Sequence, residues 1–238
     1  MSRRGRREPV VTRSVVYAIG DIHGMFALLQ ELLGEIAADS PRYDGAEKTL
    51  VYLGDYIDRG PQSREVVELL MGKPMQAHGF EEVFLKGNHE ELMEVYYDAS
   101  DDVSWLYNGG RETLASYDGE VDAAHRASMR DLPLSHATPG YFFVHAGVDP
   151  GRPLGRQLSD DMLWIRRSFT EDTKRYTYNR RRVKVVHGHT IARQPQIRDN
   201  RIGIDTGAFA TGVLTAVALD GTEERILQVT GEPSPAHS

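Results

Sequence analysis

The chain contains no cysteine. That absence excludes disulfides, zinc–thiolate sites and every hydrolytic route through a thiolate nucleophile, so displacement chemistry here must use water. Long apolar runs are missing as well, and nothing approaches the roughly 20 apolar residues that span a bilayer. The arginine-bearing start is followed by no stretch of signal-peptide character. A soluble, cytoplasmic protein with no membrane partner is the expectation. Nor is there an excess of positive charge: charged residues make up 26% of the 238 and the formal net charge is -7, which argues against nucleic acid as a partner. Two local clusters depart from that balance, Arg3, Arg4, Arg6 and Arg7 at the start and Arg180, Arg181, Arg182 and Lys184 late in the chain. They read as a solvated tail and a solvated face. The second would attract an anionic substrate if it lay near the functional site.

What is present is enough apolar content, 40%, for one domain with a sizeable core. Residues 1–13 and 232–238 lack periodicity and read as disordered tails around a single domain, 14–231. Val15 to Ile19 reads as a strand and Met25 to Ala37 as a helix with Leu29, Leu32, Leu33 and Ile36 on one face. Thr49 to Leu53 is the next strand. Ser63 is the expected N-cap of a helix carrying Val66, Val67, Leu69 and Leu70, and Val83 to Leu85 is a third strand. Strands alternating with helices imply a parallel sheet whose ligand sites gather beyond the strands' carboxyl ends. Residues 90–132 read as a helical cap, interrupted at Asn108-Gly109-Gly110. Short strands follow at Tyr141 to Val144, Val183 to Val186, Ile202 to Ile204, Val213 to Leu219 and Arg225 to Val229, so a second sheet should pack on the first.

Four segments place hard-metal ligands in glycine turns after apolar runs: Gly20-Asp21-Ile22-His23-Gly24, Gly54-Asp55-Tyr56-Ile57-Asp58-Arg59-Gly60, Gly87-Asn88-His89-Glu90 and His187-Gly188-His189-Thr190. Converging from several strand ends, such residues can hold two divalent ions roughly 3.5–4 Å apart, which clamp the attacking and leaving oxygens of a phosphoryl displacement. Asp21 and His23 alternate along an extended turn and suit a first ion. Asp55, with two oxygens, is the candidate bridge. Asn88 offers a neutral oxygen to a second ion, and His145 and His189 offer nitrogens to it; His187, two residues away, is the alternative to His189. A mixed oxygen and imidazole set without sulfur suits manganese, iron or zinc better than calcium.

His89 follows a ligand directly, where a general acid belongs, because the leaving oxygen must gain a proton. Asp58 is its natural partner. Arg59 adjoins the pair and can hold two phosphate oxygens; Arg166, after Leu163-Trp164-Ile165, is a second candidate. The remaining histidines, His78, His125, His136 and His237, read as structural or exposed. Within the cap, Trp105 to Tyr117 is expected to border the site, with Arg111 as an anion contact.

At these residues the sequence resembles the calcineurin-like metallophosphoesterases and, within them, the phosphoprotein phosphatases, including small bacterial and phage serine/threonine phosphatases. The pattern is carried by G-D-I-H-G, G-D-Y-I-D-R-G and G-N-H-E, then V-H-A-G at Val144 to Gly147 and G-H-T at Gly188 to Thr190. The resemblance implies an α/β fold of two packed mixed sheets flanked by helices. It implies two divalent ions, with manganese the first choice. Asp21, His23 and Asp55 would hold one, and Asp55, Asn88, His145 and His189 the other. It also implies a metal-bridging hydroxide as nucleophile, His89 supported by Asp58 as acid, and Arg59 with Arg166 as phosphate clamps. Phosphorylated Ser, Thr or Tyr in a protein or peptide is the expected substrate, with no regulatory subunit. The runner-up is a symmetrical dinucleoside tetraphosphate hydrolase; such relatives typically lack the acid present here as Asp58 and read Asp in place of Glu90. A catalytically inactive binding module of the same fold is a lower alternative.

Overall fold

The structure is a computed structural model that describes residues 13–99 and 103–235. Arg3, Arg4, Arg6 and Arg7, nearly all of the expected basic tail, and His237 lie outside the described residues.

In chain order the strands are β1 (Ser14–Ile19), β2 (Glu47–Tyr52), β3 (Phe80–Phe84), β4 (Ser135–Thr138), β5 (Tyr141–Val144), β6 (Tyr176–Tyr178), β7 (Arg181–His187), β8 (Gln196–Ile197), β9 (Arg201–Gly203), β10 (Val213–Leu219) and β11 (Glu224–Thr230). The first sheet runs β11-β10-β1-β2-β3 and the second β4-β5-β7-β9-β8, with β6 paired to β7. Parallel strands need crossovers, and α1 (Phe26–Asp39) and α2 (Ser63–Met71) supply them between β1, β2 and β3. In the second sheet β5, β7 and β9 are parallel, with antiparallel strands at its edges. Both sheets are therefore mixed.

Alternation along β1 sets the layers. Val15, Tyr17 and Ile19 join a core that includes Leu29, Leu32 and Ile36 of α1. Val16 and Ala18 point the other way, into a core shared with Val51, Leu53, Phe143, Val186 and Ile204 between the sheets. Phe142, Val144 and Val185 face a third core with Phe169 and Tyr176 outside the second sheet. Truncating a fully buried inter-sheet residue such as Leu53 to Ala should cost roughly 2–5 kcal/mol. The order is helix, sheet, sheet, helix. The carboxyl ends of β1, β2, β3, β5, β7 and β9 then open on one place.

Several details differ from the sequence reading. Ser63 does not cap α2; its Oγ instead accepts the Asp58 N–H at 3.1 Å and meets Thr113 Oγ1 at 3.1 Å. Strands β4, β6 and β8, of four, three and two residues, are too short to carry a period. The cap comprises α3 (Asn88–Asp98), α4 (Arg111–Ser116) and α5 (Ala123–Arg130), and α3 begins two residues before the expected edge. Asn88 and His89 thus lie in its first turn. The disordered end expected from Glu232 does not hold at Ser234, which is buried and donates Oγ to Arg59 O at 2.9 Å. The late basic cluster sits at the amino end of β7, and His187 at its other end. Arg181 lies six residues of strand, roughly 20 Å, from His187, and Lys184, nearer in the strand, is paired with Glu224.

Candidate metal centre and active site

The loops after β1 and β2 are joined through their backbones. Ile22 N and His23 N both donate to Asp55 O, at 3.1 and 2.8 Å, and Gly24 N donates to Tyr56 O at 2.8 Å. The loop after β3 is tied to them by one buried carboxylate. Glu90 Oε2 accepts from Asp55 N (2.9 Å) and Gly87 N (2.8 Å), and Oε1 accepts from Tyr56 N (2.8 Å). Burial, with the charge of Asp55 close by, pushes its pKa up to about 7. His23, Asp55, Asp58, Arg59 and His189 all adopt positive φ, between 47° and 75°. A non-glycine residue held there costs on the order of 1–3 kcal/mol, and such strain gathers where function requires a geometry.

Asp55 is the hub. Its Oδ2 lies 3.4 Å from His23 Nε2 and 3.9 Å from His89 Nε2, and its Oδ1 lies 3.5 Å from His145 Nε2. His145 Nε2 is also 2.8 Å from Asn88 Oδ1 and 3.2 Å from His189 Nδ1. Two compact donor groups result, His23–Asp55–His89 and Asp55–His145–His189, sharing the one carboxylate. Asp21 is buried and accepts from His189 N at 3.0 and 3.2 Å. Gly188 is required here, because a β-carbon would overlap the Asp21 carboxylate.

The electrostatics call for a cation. Burial and the neighbouring charges of Asp205 and Asp55 push the Asp21 pKa well up, while burial and Asp55 raise Asp205 to about 6. Burial also lowers His23, His145 and His189, the last to about 2, so these imidazoles stay neutral and keep their lone pairs. Burial acts to raise Asp55 too, but positive charge on the imidazoles around it, of which His89 alone has a raised pKa, outweighs that and holds it below the usual carboxylate range. His189 Nε2 is buried without a hydrogen-bond partner among the described residues. Crowded carboxylates, neutral imidazoles and an orphaned nitrogen together fit divalent metal.

His89 Nδ1 lies 2.6 Å from Asp58 Oδ2. Asp58 is fully buried and accepts from two cap residues as well, Trp105 Nε1 at 2.9–3.0 Å and Thr113 Oγ1 at 2.6 Å. Gly109, at φ 111°, breaks the helical path of the cap and lets its carbonyl accept from Arg59 N at 3.3 Å. Arg59 stacks over the Phe209 ring with Cζ 4.7 Å from its centroid, and Nη1 lies 2.8 Å from His23 Nε2. Arg166 is exposed, with Nη1 donating to His189 O at 3.2 Å. Arg111 lies over Tyr107 and shares a cleft of about 360 Å³ with Arg59. His187 stands outside both donor groups and faces Arg201 Nη1 at 3.3 Å.

The calcineurin-like phosphoesterase family profile matches residues 14–206. The chain belongs to that family. Serine/threonine-protein phosphatase 1 of Salmonella typhimurium is 38% identical over 214 residues, covering 84% of this chain and 89% of the relative. An asymmetrical bis(5'-nucleosyl)-tetraphosphatase, PrpE of Halalkalibacterium halodurans, is 28% identical over 228 residues, with 84% and 87% covered. Of an uncharacterized Schizosaccharomyces pombe protein, 32% identical over 153 residues, the match spans only 45%. The crystal structure of a candidate diadenosine tetraphosphatase superposes with a TM-score of 0.65 at 25% identity, covering 94% of this chain and 96% of the other. Two mixed sheets with helices outside are the fold of this calcineurin-like phosphoesterase, and its His/Asp groups belong to a family that uses divalent metal.

Asp205 and the structural role of Glu90 escaped the sequence reading of this phosphoesterase site, while Trp105 and Thr113 lie in the Trp105 to Tyr117 segment expected to border it. Asp205 had a signal, since it follows the apolar Ile202 to Ile204 and precedes Gly207, the same strand-end pattern as Asp21 and Asp55. Glu90 was noted only for telling relatives apart, although it joins three loops. Trp105 and Thr113 reach Asp58 from 47 and 55 residues away, a pairing that no local pattern announces.

Proposed function

We propose that this phosphoesterase is a metal-dependent phosphomonoester hydrolase acting on phosphoserine and phosphothreonine, and also phosphotyrosine, in proteins or peptides. Asp21, His23 and Asp55 would hold one divalent ion, and Asp55, Asn88, His145 and His189 a second. Manganese suits this set first, with iron and zinc as the other candidates. When bound, two such ions polarise the phosphoryl oxygens and lower the pKa of water.

The rest of the reaction falls to the protein's own side chains. His89 presents Nε2 toward Asp55 while Asp58 holds Nδ1, so the ring can carry a proton for the leaving oxygen at Nε2. Burial acts to lower the His89 pKa, but the charges of Asp55 and Asp58 outweigh it and the pKa is raised. Arg59 and Arg166 flank the centre as clamps for phosphate oxygens.

The observation that carries the reading is the buried Asp58–His89 pair. A serine or threonine alkoxide is a poor leaving group and needs that proton. A nucleotide leaves as a far more stable phosphate anion and needs it much less. Cleavage of dinucleoside tetraphosphates is the second reading, favoured by the PrpE relative. A binding module without catalysis is disfavoured, since nothing would maintain acid, clamp and ligand sets together. Rates measured side by side on phosphoserine, phosphothreonine and phosphotyrosine peptides and on a dinucleoside tetraphosphate test the choice. Faster turnover of a phosphopeptide is expected, and a tetraphosphate cleaved much faster than every peptide would overturn it.

A further inference from the structure

His187, set apart from both donor groups, belongs to a second cavity. It has a volume of about 250 Å³ and is lined by Thr170, His187, Thr190, Gln196, Arg198 and Arg201 among others. Arg201, at the start of β9, is only 5% exposed. Arginine is rarely buried that far without a carboxylate, because an uncompensated charge removed from water is costly. Its side-chain partners among the described residues are all neutral: His187 Nε2 at 3.3 Å, Thr170 O at 2.9 Å and Gln196 Oε1 at 3.2 Å. No carboxylate forms an ion pair with it among the described residues.

Two further features point to the same missing group. Arg198, exposed at the rim, adds a second positive charge close enough to disfavour that of Arg201. Thr190 Oγ1 is buried without a hydrogen-bond partner among the described residues, although it can both donate and accept. A tetrahedral oxyanion would compensate both guanidiniums and accept from the threonine. The surrounding aspartates do not fill this role: Asp172 accepts from Tyr176 and Lys174, and Asp199 pairs with Arg175.

We propose that this cavity binds a phosphate group at a site distinct from the metal centre, on Arg201, Arg198 and Thr190. The ligand is either inorganic phosphate or the terminal phosphate of a nucleotide. The turn that carries His189 separates the two sites, with Thr190 N donating to Gly188 O at 2.7 Å and His189 N donating to Asp21. The inference stands whichever substrate reading is correct, since it uses none of the groups assigned to turnover.

Calorimetric titration of the full-length, metal-loaded protein with inorganic phosphate, and separately with a non-hydrolysable nucleoside triphosphate, tests it. Two bound anions per chain are expected, one at the metal centre and one here. The ligand that binds more tightly at the second site identifies its source. Arg201→Met should weaken the second event by roughly tenfold or more while leaving the first in place. Arg198→Gln and Thr190→Val, both milder for the fold, should each weaken it by a smaller factor, so a failure of Arg201→Met to fold does not spare the proposal. In crystals soaked with tungstate, an anomalous peak should lie between Arg201 and Thr190. A single anion per chain in the wild type, or a second event that all three substitutions leave unchanged, would overturn the site.

Discussion

Around Asp55 the three loops of the first sheet are joined through backbone bonds and the buried Glu90 and Asp55 carboxylates, whereas those of the second sheet are joined to one another by backbone bonds, Gly188 N donating to His145 O at 2.8 Å and Ala192 N to Asp205 O at 3.0 Å. Glu90 alone accepts from three backbone N–H groups in two loops, and Asp55 receives Ile22, His23 and His89 through its carbonyl and carboxylate. On the other side His145 is held through Nδ1 to Leu53 O, His189 through its backbone to Asp21, and Arg166 reaches in from solvent. The proposed acid and bridging carboxylate therefore sit where buried carboxylates tie the loops, while the second sheet carries the proposed ligands His145 and His189 and the proposed clamp Arg166.

Substitutions can break that contrast, and Asp55→Asn should do so most severely. Because the carboxylate serves both donor groups, occupancy of both metals should weaken, and turnover should fall further than for any other single change described here. Elemental analysis beside an activity assay checks it, and two tightly held ions with normal turnover would mean that the bridge is misassigned. His89→Asn should slow turnover by roughly 10²–10⁴ with both metals retained. The penalty should shrink for aryl esters with acidic leaving groups. Equal loss on alkyl and aryl esters would place His89 with the ligands of the first group, which its distance to Asp55 also allows.

Glu90→Gln probes the joints rather than the chemistry. An amide has one acceptor oxygen where the carboxylate serves three N–H groups, so roughly 1–3 kcal/mol should be lost. For a chain of this length that is a fall in Tm of roughly 3–10 °C, measurable by calorimetry. No change would mean that the loops are not held by this carboxylate. Arg166→Ala, on the second-sheet side, should raise KM a few-fold and leave Tm unchanged; a loss as large as that from His89→Asn would erase the contrast between the halves.

The two halves also differed in how much of them could be read without coordinates. Asp21, His23, Asp55, Asn88 and His89 stood out because each lies in a glycine turn a few residues after a strand, and turn chemistry is local. His187 and His189 had the same local signal, and His189 was preferred only for the freedom that Gly188 gives it; the backbone at His189, with φ 61°, sends one ring to His145 while the other meets Arg201. Asp205 was passed over because one carboxylate after a short strand is common. The donors that hold Asp58 come from a cap more than forty residues away. Such contacts depend on how helices pack, which periodicity does not specify.

Asp58→Asn, assayed on two substrates, tests directly the proposal that Asp58 makes His89 an acid for poor leaving groups. Removing that charge lowers the His89 pKa, so the alkaline fall in turnover should begin at lower pH, because less of the ring is protonated at any given pH above the new value. A large loss of kcat on a phosphoserine peptide, a much smaller loss on a dinucleoside tetraphosphate and unchanged metal content are expected. Equal losses on both substrates, or an unmoved pH profile, would contradict the proposal.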